Sequence, residues 1–257
     1  MSVHMDDMFL TAVEEDEKIK KDFLKDLPVK WSNPLDMNWQ KFIGFEWRHK
    51  DGRFQCRVPP KYLSKVLDHW KLGKCKAASN PFSSAGLNAE EVPVNEELNR
   101  RYRQSVGMLM WIMPVRPDCA YATKELARAA SKPCQHHVVA LKRCLKYLKG
   151  TTETVLTLNA DKFKTDDDDD DVHACCDSNW KARKSTSGVV FFWLGVLLET
   201  WSRTQAVPAQ SSGEAELMSM NEVSKESKFL TNVLSKIEGS EVRVQLYCDA
   251  TSAIGFA

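Results

Sequence analysis

Three apolar runs of strand length follow one another in the last third of the chain: Val172–Asp177, Ser187–Leu194 and Val196–Trp201. Their β-branched and aromatic content, with turn formers between them, predicts three strands. The period then lengthens. From about Gly213 to Lys236, Glu216, Met220, Val223, Leu230 and Leu234 fall near one face, which predicts a long helix with that face on a core. A last apolar run, Val242–Cys248, predicts a further strand. The order β-β-β-α-β belongs to the α/β class, here in mixed α+β form, with a mixed sheet beside a long helix.

The earlier residues read differently. SVHMDDMFLTA predicts a hairpin with Asp6-Asp7 at its tip, followed by a charged helix over Val13–Leu27. Strands are expected around FIGFEW and RFQCRV, joined by the turn His49–Gly52, and a short amphipathic helix over Lys61–Leu72. Ala77–Asn95, with Asn80-Pro81, Ser83-Ser84 and Pro93, has linker composition. Residues 97–150 read as helical: Val138, Leu141, Leu145 and Leu148 share one face, Lys142, Lys146 and Lys149 another, and Gly150 is a natural C-cap. The expected organisation is therefore a β-rich unit over 1–76, a linker over 77–96, a basic helical unit over 97–150, an acidic linker over 151–171 and an α/β domain over 172–257.

Composition adds one strong asymmetry. With 43% hydrophobic and 28% charged residues the chain is ordinary globular protein, and its net charge is +1. Between Arg100 and Gly150, however, eleven Lys and Arg stand against Asp118 and Glu125, an excess of nine positive charges suited to a polyanion. Six aspartates, Asp166 to Asp171, offset much of it nearby and read as a solvated insertion. The eight cysteines form no CxxC pair, so reduced thiols in an intracellular protein, cytoplasmic or nuclear, are expected. Cys134 with His136 and His137 lacks the spacing and the second ligand pair of a zinc finger. The first residues lack the basic-then-apolar pattern of a signal peptide, and no run approaches the roughly 20 apolar residues that span a membrane.

The candidate chemistry lies with three acids. Asp177 and Asp249 close apolar strands, and groups outside the carboxyl ends of such strands collect into sites. Glu216 stands in the first turns of the long helix, on its sheet-facing stripe; the competing Glu214 would lie about 160° away at roughly 100° per residue. Three carboxylates at one sheet edge suit hard divalent cations and phosphodiester chemistry. Taken singly, each acid has a plainer reading as a strand-end or helix-surface residue, and Asp6-Asp7 as a turn. Trp180, Trp193 and Trp201 are expected to pack the sheet rather than stack on bases.

Several stretches resemble the Pol polyprotein of copia-type long-terminal-repeat retrotransposons, nearly word for word. RKSTSGVVFF (Arg183 to Phe192), VPAQSSGEAEL (Val207 to Leu217) and YCDATSAI (Tyr247 to Ile254) resemble its ribonuclease H domain. YRQSVGMLMWIMPVRPDCAYA and ALKRCLKYLKGT lie upstream in the matching order. HMDDMFL looks like the polymerase hairpin, and KFIGFEWRHKDGRFQCRVPPKYLSKVL like the palm-to-thumb segment after it. The resemblance covers essentially the whole chain. It implies the end of a reverse transcriptase palm, a thumb or connection, and a ribonuclease H. Asp177, Glu216 and Asp249 would then hold two Mg²⁺ (or Mn²⁺) ions for cutting the RNA strand of an RNA–DNA hybrid. Asp6 and Asp7 would be two of the polymerase's metal-binding aspartates. Lys181, Arg183 and Lys184 would sit by the hybrid backbone, as Lys142, Lys146 and Lys149 could, and other Pol segments would be partners.

The chain also departs from that family. The family's fourth nuclease acid belongs beyond Ala257, and the remaining palm aspartate upstream of Met1. His4 stands where an aromatic is usual, and Asn179 where relatives often carry an acid. Polymerase activity from this chain alone is therefore not expected, and ribonuclease activity is expected to be impaired. The competing readings are a non-catalytic nucleic-acid-binding relic that keeps the basic helices, and a remnant that docks another Pol chain.

Overall fold

The computed structural model describes residues 2–4, 7–9, 38–83, 92–158, 171–181 and 183–255. Asp6, the helix expected over Val13–Leu27 and all of the aspartate run but Asp171 lie outside them. Strands β1 (Ser2–His4) and β2 (Asp7–Phe9) pair antiparallel, with His4 opposite Asp7.

A first four-stranded antiparallel sheet holds β3 (Gln40–Phe42), β4 (Phe45–Lys50), β5 (Arg53–Arg57) and β6 (Leu156–Leu158), in that order. FIGFEW is thus two strands, not one. Ile43 and Gly44 take φ of 50° and 78°, a two-residue turn of the kind that matches strand twist. Asp51-Gly52 does the same between β4 and β5. Helices α1 (Pro60–His69), α2 (Glu96–Ile112), α3 (Ala120–Arg128) and α4 (Gln135–Gly150) complete this part.

One hydrophobic core runs through all of it, from Phe45 and Cys56 through Leu63, Tyr102 and Leu109 to Leu141 and Leu148. Trp111 stacks on Phe45 with ring centres 4.5 Å apart. The boundary expected over 77–96 therefore separates no cores. Its first residues are bound to α4: the Ala78 N–H donates to the Lys146 carbonyl at 3.3 Å, and Arg143 donates to Asn80 Oδ1 at 2.7 Å. Gly150 ends α4 as a helical residue, not as a left-handed cap; a β-carbon there would stand 2.8 Å from that of Ala77. Leu156–Leu158, expected within an acidic linker, are the edge strand beside β5.

The second core belongs to β7 (Val172–Asn179), β8 (Thr186–Trp193), β9 (Val196–Thr204), α5 (Ser212–Glu238) and β10 (Val244–Tyr247), followed by the one-turn helix α6 (Thr251–Ile254). The sheet order is β10-β7-β8-β9, with β10 parallel to β7 and the other pairs antiparallel, which is the expected mixed sheet. Helix α5 lies on β7, β8 and β10 through Ala215, Ser219, Met220, Val223, Ser227 and Leu234. Three of those six are small, so helix and sheet approach closely. Gly239, at φ 72°, caps the helix in the left-handed conformation. Lys124 of α3 donates to Thr186 Oγ1 of β8 at 2.7 Å, a polar tie between the two parts.

Candidate metal and nucleic-acid site

Strands β7 and β10 run side by side in the same direction, with Tyr247 opposite Cys175. The next residues on each are Cys-Asp: Cys176-Asp177 and Cys248-Asp249. Two carboxylates and two thiols are thus delivered to one end of the parallel pair. Along β7 the buried residues are Val172, Ala174 and Cys176, while Cys175 and Asp177 are exposed. Strand alternation puts Asp177 on the face opposite Cys176.

Helix α5 begins at the same end. Ser211 Oγ accepts the Glu214 N–H at 3.1 Å, and Glu214 Oε2 accepts the Gln210 N–H at 2.6 Å. Glu214 is therefore committed to starting the helix. Glu216, two residues on, turns to the sheet and is only 7% exposed. Its Oε1 accepts the Ser178 N–H at 3.1 Å, and its Oε2 lies 4.0 Å from Cys248 Sγ. Ser219 Oγ donates to the Asp177 carbonyl at 3.3 Å, a second clasp between helix and strand. Gln205, 1% exposed, fixes the helix start: its Nε2 donates to the Ala215 carbonyl at 2.7 Å and to Ser187 Oγ at 3.1 Å.

One ligand atom each of Glu216, Cys248 and Asp249 lie within 4.8 Å of one another. Asp177 is not in that group. Its charge still acts there: burial first, then the charges of Asp177 and Asp249, push the Glu216 carboxyl up, against the opposing hydrogen bond from Ser178. Burial, followed by the neighbouring Cys248 and Glu216, pushes the Cys176 thiol up to about 12. As donors, the carboxylates of Glu216 and Asp249 fit a hard cation such as Mg²⁺ or Mn²⁺. The sulfur in the same group suits a softer one.

Of the basic residues expected to meet nucleic acid, Lys181, Arg183 and Lys184 are exposed in the connection from β7 to β8, next to the site. On α4, Lys142 is exposed with its Nζ 5.6 Å from the centre of the Trp70 ring. Lys146 is half-buried, and Lys149 donates to the Cys75 carbonyl, so it is committed to holding the chain. Asp7 stands in β2; Asp6 lies outside the described residues. Trp201 is buried and Trp193 packs on the second core, whereas Trp180 is 46% exposed and donates to the Ala209 carbonyl at 3.0 Å.

Four residues escaped the sequence reading: Cys176, Cys248, Gln205 and Ser178. The thiols had a signal, since both site strands run into the same dipeptide. Gln205 and the Ser178 amide had none, because their role is set by partners distant in the chain.

No family profile matches the chain. The "Retrovirus-related Pol polyprotein from transposon TNT 1-94" of Nicotiana tabacum is 29% identical over 263 residues, 98% of this chain and 19% of that protein. The corresponding polyprotein from transposon RE1 of Arabidopsis thaliana is 26% identical, over 98% of this chain and 17% of its own length. The chain thus spans less than a fifth of these relatives. The secreted RxLR effector protein 161 of Plasmopara viticola is 36% identical over 139 residues, 52% of this chain and 93% of that protein. Among solved structures, a foamy viral protease-reverse transcriptase in complex with double-stranded DNA matches at 11% identity and a TM-score of 0.45, covering 85% of this chain and 32% of its own. Agreement in order over nearly its whole length places the chain in a family: it belongs to the copia-type retrotransposon Pol polyproteins, as a segment of them.

Proposed function

We propose that the domain of β7–β10 and α5 is ribonuclease H-like and hydrolyses the RNA strand of RNA–DNA hybrids, and that the residues before it are the end of a reverse transcriptase palm and a thumb or connection. The observation that carries this reading is the meeting of Glu216 and Asp249 where two parallel strands end, with Glu216 buried and fastened to β7. Glu216, Asp249 and the neighbouring Asp177 would hold Mg²⁺ or Mn²⁺, which when bound lowers the pKa of water and stabilises charge on a leaving oxygen.

The chain's own residues supply the rest. The Ser178 amide orients the Glu216 carboxylate and leaves its second oxygen for the ion. Asp177, exposed at the same end of β7, would complete the carboxylate set. Lys181, Arg183 and Lys184 take backbone phosphates beside it, and Lys142 and Lys146 extend the track. Recognition by backbone shape and the 2′-hydroxyl, without base readout, suits such a surface. Asp6 and Asp7 are assigned to a polymerase metal site. Its setting would be intracellular, with other Pol segments as partners. Among the described residues no helix is long and apolar enough to cross a membrane.

A second reading, a binding protein that no longer cuts, is favoured by one observation: Asp177 stands outside the close group. Cleavage of a labelled RNA–DNA hybrid with Mg²⁺ or Mn²⁺, compared among the native chain, Asp177→Asn and Asp249→Asn, separates the two. Cutting that both variants abolish supports the nuclease. Binding without cutting, weakening steeply with salt, supports the second reading. No binding even at low salt leaves only a docking role.

A further inference from the structure

We propose that Cys176, Glu216, Cys248 and Asp249 form a mixed thiolate–carboxylate site that takes a thiophilic divalent cation of the zinc type. The placement is specific. Cys248 Sγ is 4.0 Å from Glu216 Oε2, and with an Asp249 oxygen the three donors lie within 4.8 Å. Cys176 follows Cys175, the partner of Tyr247 across the parallel pair, which makes it the neighbour of Cys248 at the strand ends.

Zinc bonds to sulfur at about 2.3 Å and to carboxylate oxygen at about 2.0–2.2 Å, so tetrahedral donors stand roughly 3.5 Å apart. The three grouped donors, Glu216, Cys248 and Asp249, need to close by about 1.3 Å at most, within reach of side-chain rotation, and Cys176, outside that group, would join them as the fourth. Cys248 and Asp249 follow the end of β10 and are partly or fully exposed, so an ion has a path in. Glu216 is already aimed by Ser178. A hard ion such as Mg²⁺ gains nothing from sulfur, whereas Zn²⁺ and Cd²⁺ do. Binding would release the thiol protons to solvent.

The inference shares two carboxylates with the nuclease reading but rests on the thiols, and its test needs no hydrolysis. The full chain, stripped with chelator, is titrated with Cd²⁺ and with Co²⁺. A cadmium–thiolate charge-transfer band in the ultraviolet and a tetrahedral cobalt spectrum are expected at one equivalent, with both removed by Zn²⁺. Cys248→Ser should abolish the cadmium band. It should also weaken Zn²⁺ by at least the roughly 10–100-fold that loss of a mere supporting residue costs. Cys176→Ser should reduce the band, and Cys175→Ser, exposed on the other face of β7, should leave it intact. Circular dichroism checks that each variant folds; if Cys248→Ser does not, Cys248→Ala and the Cys176→Ser titration decide. Equal bands in native, Cys248 and Cys176 variants, or no band at all, would overturn the site. A hybrid-cleavage failure with the band present would sink only the nuclease.

Discussion

The Ser178 N–H donates to Glu216 Oε1 at 3.1 Å, so the carboxylate of a helix is fastened to the strand residue that follows Asp177. This bond aims a buried acid at the end of β10, beside Cys248 and Asp249, and burying that acid costs stability. Burial raises the Glu216 carboxyl above the ordinary glutamate range. The folded state therefore holds its proton to higher pH than the unfolded chain does. Stability should fall as pH rises from the ordinary range through the raised value, and stay lower above it. Glu216→Gln keeps the acceptor for Ser178 and removes the charge. Its melting temperature should equal or exceed that of the native chain at neutral pH, with the advantage gone in acid. A variant equally destabilised at both pH values would show that the charge is not the source of the cost.

Gly44 and Gly52 hold the same turn position in successive hairpins, at φ 78° and 72°. Their surroundings differ. A β-carbon at Gly44 would meet Trp111 Cζ2 at 2.6 Å, while nothing lies within 4 Å of one at Gly52. Gly52→Ala should incur the left-handed penalty alone, about 1–2 kcal/mol. Gly44→Ala adds overpacking of about 1–3 kcal/mol against a tryptophan stacked on Phe45. Urea unfolding of the two variants measures the difference, and equal midpoints would refute it.

The same hairpin shows what the sequence did and did not disclose. Asp51-Gly52 is a familiar turn pair and was legible. Ile43-Gly44 was not, because its isoleucine continues an apolar run and only the backbone reveals the break. The strand Leu156–Leu158 is three residues long, too short for a period to register, and its partner β5 lies about a hundred residues earlier. The β-β-β-α-β order was legible because β7, β8, β9 and α5 are long and keep one period, and the four-residue β10 lies within the apolar run Val242–Cys248. Glu216 was separable from Glu214 by helical angle alone, and the structure gives the two residues different work. The thiols carry no such signal, because scattered cysteines lack a fixed ligand spacing; strand pairing, not sequence distance, makes neighbours of Cys176 and Cys248.

Arg116 is 1% exposed and forms a two-pronged pair with Asp118, at 2.9 and 2.7 Å. It also donates to the Thr151 carbonyl at 3.0 Å, and Tyr147 donates to Asp118 Oδ2 at 2.8 Å. The group locks the end of α2 to the end of α4. Burial works to raise the Asp118 carboxyl, but the hydrogen bonds and charge of Arg116 outweigh it and hold the carboxyl below its ordinary range. That contribution is present above the ordinary carboxylate range and is lost as pH falls through the folded value. Asp118→Asn should cost about 3 kcal/mol or more at neutral pH, because it leaves a buried guanidinium without its counter-charge. The loss should shrink in acid. Thermal unfolding at both pH values checks the sign.

Lys181, Arg183 and Lys184 are exposed, whereas Lys149 is tied to the Cys75 carbonyl. Two lysine-bearing segments of similar appearance in sequence should therefore respond oppositely. Replacing all three loop residues with alanine leaves up to three phosphates without a cationic partner and the fold untouched. The slope of log K against log salt for hybrid binding should become shallower by roughly 0.9 for each phosphate no longer neutralised. Binding should weaken across substrates of any base sequence, since the phosphate backbone carries no sequence information. Lys149→Ala should leave the slope unchanged and lower the melting temperature, because it frees a carbonyl that holds residue 75 against α4. Fluorescence anisotropy over a salt series, with a melt of each variant, reads both. A shallower slope for Lys149→Ala and an unchanged one for the loop triple would move the nucleic-acid surface from the β7–β8 connection to the helical part.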